Sequence, residues 1–465
     1  MTSPSNLLLA CYELGHQPLS LAWPLAIFQQ SGLTAHGVDL SVESFPDHVA
    51  AKASFVGISV PMHTAIRLGV RAARRVRHLN PSAHICFYGL YAWLNSDYLL
   101  SVNKDEEYPL ADSILAGEVE DSLVKLAEAL NSGDNTAAVP GLVTTSSPGG
   151  PIMNRLTFAI PDRSTLPGLE AYALFTQNGQ RSKAGYVEAT RGCLHKCLHC
   201  PVVPIYNGRF FTVPAEVVVP DIRQQVAAGA RHITFGDPDF LNGPGHALKI
   251  VQAMHDEFPW LTFNFTTKVE HILERRTIIS RLGRLGAAFM VSAFESTSDL
   301  VLERMQKGHS VADLDLALEI ADEAGLPIQP TWVPFTPWNT YEDYLALLSW
   351  IESRGLMSHT PPIQLSIRLL IPPGSALTSS ADDCKWLGKI DRANFTYRWQ
   401  HPDPRMDILQ SEVARIAESL SGRNVQAFKA IKRLAYGLGT SEPPVKTNRQ
   451  RQKPPPPRLT EDWFC

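Results

Sequence analysis

The sequence has no marked excess of charge of either sign: 42 Lys and Arg stand against 46 Asp and Glu, a formal net charge of −4. No overall field therefore draws a polyanion, and nucleic acid is not an expected partner. No apolar run approaches the roughly 18 residues needed to cross a bilayer. The opening MTSPSNLLLACYELG lacks the basic segment of a signal peptide. Both absences point to a cytoplasmic protein with no membrane partner. The chain is also short of cysteine, with seven in 465 residues. An odd, unevenly spaced set excludes a disulfide framework.

What is present is a globular composition, 44% hydrophobic and 19% charged. At roughly 150 residues per domain, that length predicts two or three domains. Short apolar runs at 6–14, 36–43, 54–61, 84–90 and 112–118 read as strands, and 19–32, 63–80 and 119–130 read as helices. This alternation predicts an N-terminal, doubly wound parallel sheet over 1–135, with ligand loops at its strand carboxyl ends. Residues 136–183, rich in Gly, Ser, Pro and Asn, read as a linker. Strand-like units then recur at about 30-residue spacing, at 184–192, 232–238, 261–268, 287–296, 327–335 and 363–374. They predict a partial (β/α)6 barrel over 184–400, an α/β architecture whose chemistry sits at the strand carboxyl ends. A helical region over 401–445 and a basic, Pro-rich, extended or disordered tail over 446–465 complete the chain.

Three of the seven cysteines fall within eight residues, in Arg191-Gly192-Cys193-Leu194-His195-Lys196-Cys197-Leu198-His199-Cys200-Pro201. A structural zinc site needs four ligands, and no second cysteine pair is available, although His195 or His199 would complete one. Three thiolates also suit a [4Fe-4S] cluster, whose fourth iron stays open to a substrate. Gly192 supplies the backbone freedom that such a loop needs.

This CxxxCxxC resembles the signature of the radical S-adenosylmethionine (radical SAM, AdoMet) superfamily, and the resemblance extends over roughly 184–380. It implies that Cys193, Cys197 and Cys200 hold a [4Fe-4S] cluster. AdoMet would bind the open iron and be cleaved reductively at a carbon–sulfur bond to give methionine and a 5′-deoxyadenosyl radical. The usual aromatic residue before the last cysteine is here His199. By the same resemblance Gly236 and Asp237 would contact the AdoMet amino group, and Glu295 and Ser296, followed by MQKGH (305–309), would reach the ribose. Thr267, Lys268 and Arg368 would be polar pocket residues, and PWNTYEDY (337–344) resembles the fifth-strand loop without its glycine. A flavodoxin or ferredoxin is implied as electron donor and a small molecule as substrate, to be methylated, alkylated or rearranged.

The N-terminal region resembles the cobalamin-binding domain of one large branch of that superfamily. Ser59, Gly89, Gly117 and Glu118 stand at its strand ends, so cobalamin is implied as a further cofactor. The DxHxxG motif is absent, and YELGHQP follows the first strand, leaving His16 as a solvated loop residue. The segment RGCLHKCLHCPVVPIYNGRF and the ending RLTEDWFC also resemble radical SAM proteins with a Cys-Sec-Ala-Glu-Pro or Cys-Cys-Ala-Glu-Pro tail. That likeness implies a selenoprotein continuing past Cys465, with Cys465 in a catalytic thiol–selenol pair and a metalloid-containing molecule as one substrate subtype. The contrasting reading is a cobalamin- or Fe–S-dependent sensor without turnover.

Overall fold

The structure, a computed structural model, describes residues 5–104, 106–154, 156–378, 385–438 and 453–461. The N-terminal unit is a five-stranded parallel sheet of order β2-β1-β3-β4-β5. Its strands are β1 (Ser5–Ala10), β2 (Ala35–Asp39), β3 (Ala53–Ser59), β4 (His84–Tyr88) and β5 (Ser113–Leu115). Leu7, Leu8 and Leu9 are all fully buried, so β1 is covered on both faces, which is why its sequence reads as a continuous apolar run. The helix His63–Leu79 buries Ala65, Ile66, Gly69, Val70, Ala73 and Val76, the 3–4-residue spacing of one face. Gly69 brings its backbone so close to the sheet that a Cβ there would lie 2.9 Å from Val60. The doubly wound fold expected from the sequence is thus realised.

The second sheet is built around five parallel strands: β7 (Gln180–Val187), β10 (His232–Phe235), β11 (Thr262–Thr267), β12 (Ala287–Glu295) and β13 (Ile328–Trp332). It opens with an antiparallel hairpin, β6 (Leu174–Gln177) to β7, inside the stretch that reads as linker. Asn178 and Gly179, both at positive φ, make its two-residue turn; this Asn-Gly is a hairpin signal within otherwise loop-like composition. A small antiparallel pair, β8 (Thr190–Gly192) and β9 (Phe210–Thr212), stands above the end of β7.

The sixth barrel strand, expected over 363–374, is reduced to a single parallel bridge between Phe335 and Arg368. Pro361 and Pro362 offer no N–H, and Pro362–Leu365 turns as a 3-10 helix instead. Pro330 lies inside β13, a position tolerated because β13 ends the sheet. The barrel is therefore open on one side. Beyond it lie a β-hairpin, β14 (Leu387–Asp391) with β15 (Thr396–Trp399), and the helices Pro404–Ser419 and Asn424–Leu438.

The described part of the tail is extended and docked. Lys453 pairs with Asp322 at 2.7 Å, and His359 bonds both Pro454 O and Ile328 O. β16 (Arg458–Leu459) then pairs antiparallel with β6. The tail thus runs from the β13 side to the β6 edge. The unpaired edge of β6 is what recruits it, a feature that tail composition alone does not reveal. Leu459 joins Phe175, Ala184, Phe289 and Val291 in a small cluster, and Phe175, His232 and Phe289 stack to floor the lumen. With that floor filled, the free end of the barrel is the one at the strand carboxyl ends. No helix among the described residues is long and apolar enough to cross a membrane.

Candidate active site at the cysteine loop

The cysteine loop leaves β8 at Gly192, whose φ of +76° is open to glycine and rarely to other residues. A Cβ there would lie 2.5 Å from both Arg209 O and the Tyr206 ring. The loop is fastened at several points: Cys193 N donates to Arg209 O at 3.0 Å, Leu194 N to Asn242 Oδ1 at 3.3 Å, and Leu198 N to Met305 O at 3.0 Å. Cys193, Cys197 and Cys200 are all free thiols, and each influences the ionisation of another. Burial pushes Cys193 up to about 11 and Cys200 up to about 12. Metal-free thiolates at Cys193 and Cys200 are therefore disfavoured, and a nearby cation would favour them.

That need matches the surroundings. Lys307, 3% exposed, carries a buried ammonium beside Cys197 and Cys200; burial opposes its charge, but Glu295 and the two cysteines together raise its pKa. Its Nζ lies 2.9 Å from Glu295 Oε1, and His199 Nε2 lies 3.5 Å from the same oxygen. Burial would raise the Glu295 carboxyl, but Lys307 and His199 more than offset it and hold it well below the usual range. Glu295 sits at φ +64°, a conformation sparsely occupied by non-glycine residues and concentrated at functional sites. Ser296 follows it and accepts from Ser298 N at 3.1 Å. Soft thiols on one loop beside a buried cation, with the His199 Nδ1 buried and unpartnered, fit a cuboidal iron–sulfur cluster with an open position.

The residues expected to contact AdoMet divide. Gly236 lies directly under Tyr186, whose hydroxyl would be 2.3 Å from a Cβ, and Tyr186 stacks on His16 at 4.3 Å. Asp237 is turned away from the mouth: it accepts from Ala189 N at 3.1 Å and Thr190 Oγ1 at 2.6 Å, shaping the run into the cysteine loop. Burial pushes its carboxyl up to about 7. Thr267 and Lys268 converge on Asp239, while Arg368 pairs with Asp407 and stacks over Trp399, so it docks the C-terminal helices instead of lining the mouth.

The N-terminal strand ends face the same loop. Ser59 is buried at the end of β3, and Gly89, φ +106°, packs against Val60 and Pro61. Gly117, φ +81°, is covered by Ile152, whose carbonyl oxygen would be 2.1 Å from a Cβ. Glu118, 1% exposed, accepts from Tyr206 Oη at 2.9 Å and pairs with Arg191 Nη1 at 3.3 Å. Arg191 also reaches Glu120 at 2.6 Å and Glu188 at 3.2 Å, and lies over Trp23 and Phe158. This buried clamp ties the first sheet to the residue two before Cys193. Sequence reading missed Arg191 because two of its partners, Glu118 and Glu120, lie some seventy residues away, just after the first sheet's last strand, and passed over Lys307 although MQKGH contains it. His16 is buried, not solvated, and burial pushes its pKa down to about 4. Cys465 lies outside the described residues.

A half-open parallel barrel carries three cysteines at its mouth and is preceded by a doubly wound sheet. Residues 187–350 match the Radical SAM superfamily, and the chain carries a radical SAM domain.

Among curated relatives, hopanoid C-3 methylase of Methylococcus capsulatus is 23% identical over 342 residues, 72% of this chain and 64% of that protein. A putative methylthiotransferase of Methanocaldococcus jannaschii is 24% identical over 196 residues, 39% of this chain and 41% of its own. The chain thus spans less than two thirds of the curated relatives it matches. Among solved structures, the cobalamin-dependent S-adenosylmethionine radical enzyme OxsB with aqua-cobalamin bound superposes with TM-score 0.72 at 12% identity, covering 95% of this chain and 74% of OxsB. The radical S-adenosylmethionine methyltransferase TsrM from Kitasatospora setae superposes with TM-score 0.66 at 14% identity, covering 89% of each chain. These likenesses establish a shared fold across both sheets.

Proposed function

We propose that this protein is a radical SAM enzyme of transferase type that modifies a small molecule by methylation, alkylation or rearrangement. The observation that carries this reading is the Cys193, Cys197 and Cys200 loop at the barrel mouth, with buried Lys307 beside it. When bound there, a [4Fe-4S] cluster with AdoMet supplies reductive cleavage of a carbon–sulfur bond. The protein's own residues do the rest. Cys193, Cys197 and Cys200 hold three irons, and Lys307 offsets the negative charge of a thiolate-ligated cluster. Glu295, kept ionised by Lys307 and His199, offers its remaining acceptor capacity at the end of β12, where a ribose hydroxyl would donate. Gly236 fits a ligand contact less well, since the Tyr186 ring already covers it.

Cobalamin is the proposed second cofactor, on the likeness of the whole fold to OxsB and TsrM, both solved with cobalamin bound. Ser59 and Gly89 remain its candidate contacts. Gly117 and Glu118 fit it less well, being already engaged by Ile152, Tyr206 and Arg191. A flavodoxin or ferredoxin in the cytoplasm is the proposed reductant.

The test is anaerobic reconstitution with iron and sulfide, reduction, addition of AdoMet and mass spectrometry of the nucleosides. 5′-Deoxyadenosine or S-adenosylhomocysteine from wild type, absent in Cys197→Ala, supports the reading. An intact cluster that never consumes AdoMet refutes it and favours a sensor without turnover.

A further inference from the structure

At the cysteine loop lies a second group of metal-ligating atoms. His195 Nε2, Asp239 Oδ2 and His271 Nδ1 lie within 4.8 Å of one another. They come from three separate elements: the cysteine loop, the turn after β10 and the helix Val269–Glu274 after β11. Asp239 is 1% exposed and His271 6% exposed, so the group is built into the protein. His271 Nδ1 stands 3.0 Å from Asp239 Oδ2, and His195 Nε2 stands 3.7 Å from it, yet both ring nitrogens are buried without a hydrogen-bond partner. Two unsatisfied, buried imidazole nitrogens near one carboxylate oxygen have a cost that a shared cation removes.

The carboxylate is held in place independently of any ion. Its Oδ1 accepts from Leu241 N and Thr267 Oγ1, each at 3.0 Å, and its Oδ2 accepts from Lys268 N at 3.2 Å. A charged partner stands behind one imidazole as well: Glu270 Oε2 is 3.6 Å from His195 Nδ1. If His195 ligates through Nε2, its proton sits on Nδ1, where Lys268 Nζ at 3.1 Å is nearer than Glu270 Oε2 at 3.6 Å, so Lys268 must turn aside before that carboxylate can accept. Lys268 Nζ, 3.1 Å from His195 Nδ1 and 3.0 Å from Glu270, then keeps only its pairing with Glu270.

We propose that His195, Asp239 and His271 form a second metal site that binds a borderline divalent cation, zinc or ferrous iron, with one coordination position left open. Two imidazoles and one carboxylate select such ions over magnesium or calcium, which prefer oxygen ligands. The site is separate from the three cysteines but shares their loop. A metal there pins the loop to the ends of β10 and β11 and leaves the open position for water or a substrate oxygen.

The test uses anaerobically reconstituted holoenzyme, titrated with zinc after chelator washing, with iron and zinc counted together. One tightly held zinc per chain is expected, and zinc-edge X-ray absorption should show only nitrogen and oxygen neighbours at about 2.0–2.1 Å. His271→Ala and, separately, His195→Ala should weaken zinc binding about tenfold or more while the iron content of the cysteine site persists. His195→Ala guards against a folding defect in the more buried His271 variant. Iron-loaded protein that holds neither stoichiometric zinc nor iron beyond that of the cluster, a sulfur shell at about 2.3 Å, or zinc affinity unmoved by both substitutions overturns the proposal.

Discussion

Replacing Arg191 by methionine removes the cation that pairs with three carboxylates, Glu118, Glu120 and Glu188, at 3.3, 2.6 and 3.2 Å. Burial alone would depress the guanidinium pKa, but the three carboxylates more than offset it, so Arg191 is firmly charged. Methionine also gives up the guanidinium's place over the Trp23 and Phe158 rings, so the loss is mainly electrostatic. Removing one partner of a buried ion pair costs roughly 3–5 kcal/mol because the remaining charge is stranded. Urea denaturation followed by the fluorescence of Trp23 and its neighbours reads that loss. The penalty should also depend on pH. Glu118 is already raised to about 6, chiefly by burial and against the pull of Arg191, so it rises further in the variant. A carboxyl whose native pKa exceeds its unfolded value binds a proton in the native state first, so stability is regained as pH falls through the native value. The variant should therefore lose most at pH 8 and recover part of the loss near pH 5. A loss below about 1 kcal/mol, or an equal loss at both pH values, refutes the clamp.

Further expectations follow from the same geometry. Gly192→Ala forces a Cβ onto Arg209 O at a left-handed φ, at a strain of about 1–2 kcal/mol, and iron per chain after reconstitution should fall. Asp237, raised to about 7 by burial, stabilises the fold more at pH 5 than at pH 8. Asp237→Asn should flatten that slope in melting curves, and an unchanged slope would count against the assignment. Leu459→Asp places a carboxylate against Phe175, Ala184 and Phe289. It should detach the β16 pairing, seen as faster amide exchange along β6, with little change in iron content.

The cysteine loop was legible because its signal is local: three thiols at fixed spacing after a strand carry their chemistry wherever the loop is placed. The alternation of apolar runs likewise fixed both parallel sheets, since strands buried on two faces cannot hide their composition. The hairpin β6–β7 was masked by the loop-like residues around its Asn-Gly turn, and the sixth barrel strand was overread because Pro361 and Pro362 withhold the N–H groups that a ladder needs. The pairing of Arg191 with Glu118 and Glu120, the burial of His16 against Tyr186 and the docking of the tail on β6 depend on residues dozens to hundreds apart. So does the meeting of His195, Asp239 and His271. Sequence by itself determined the domain order, the fold class and the thiol loop, which are set by periodicity and short-range spacing. Only the tertiary structure decided which charges are buried together, because that depends on which strand ends the two sheets bring face to face.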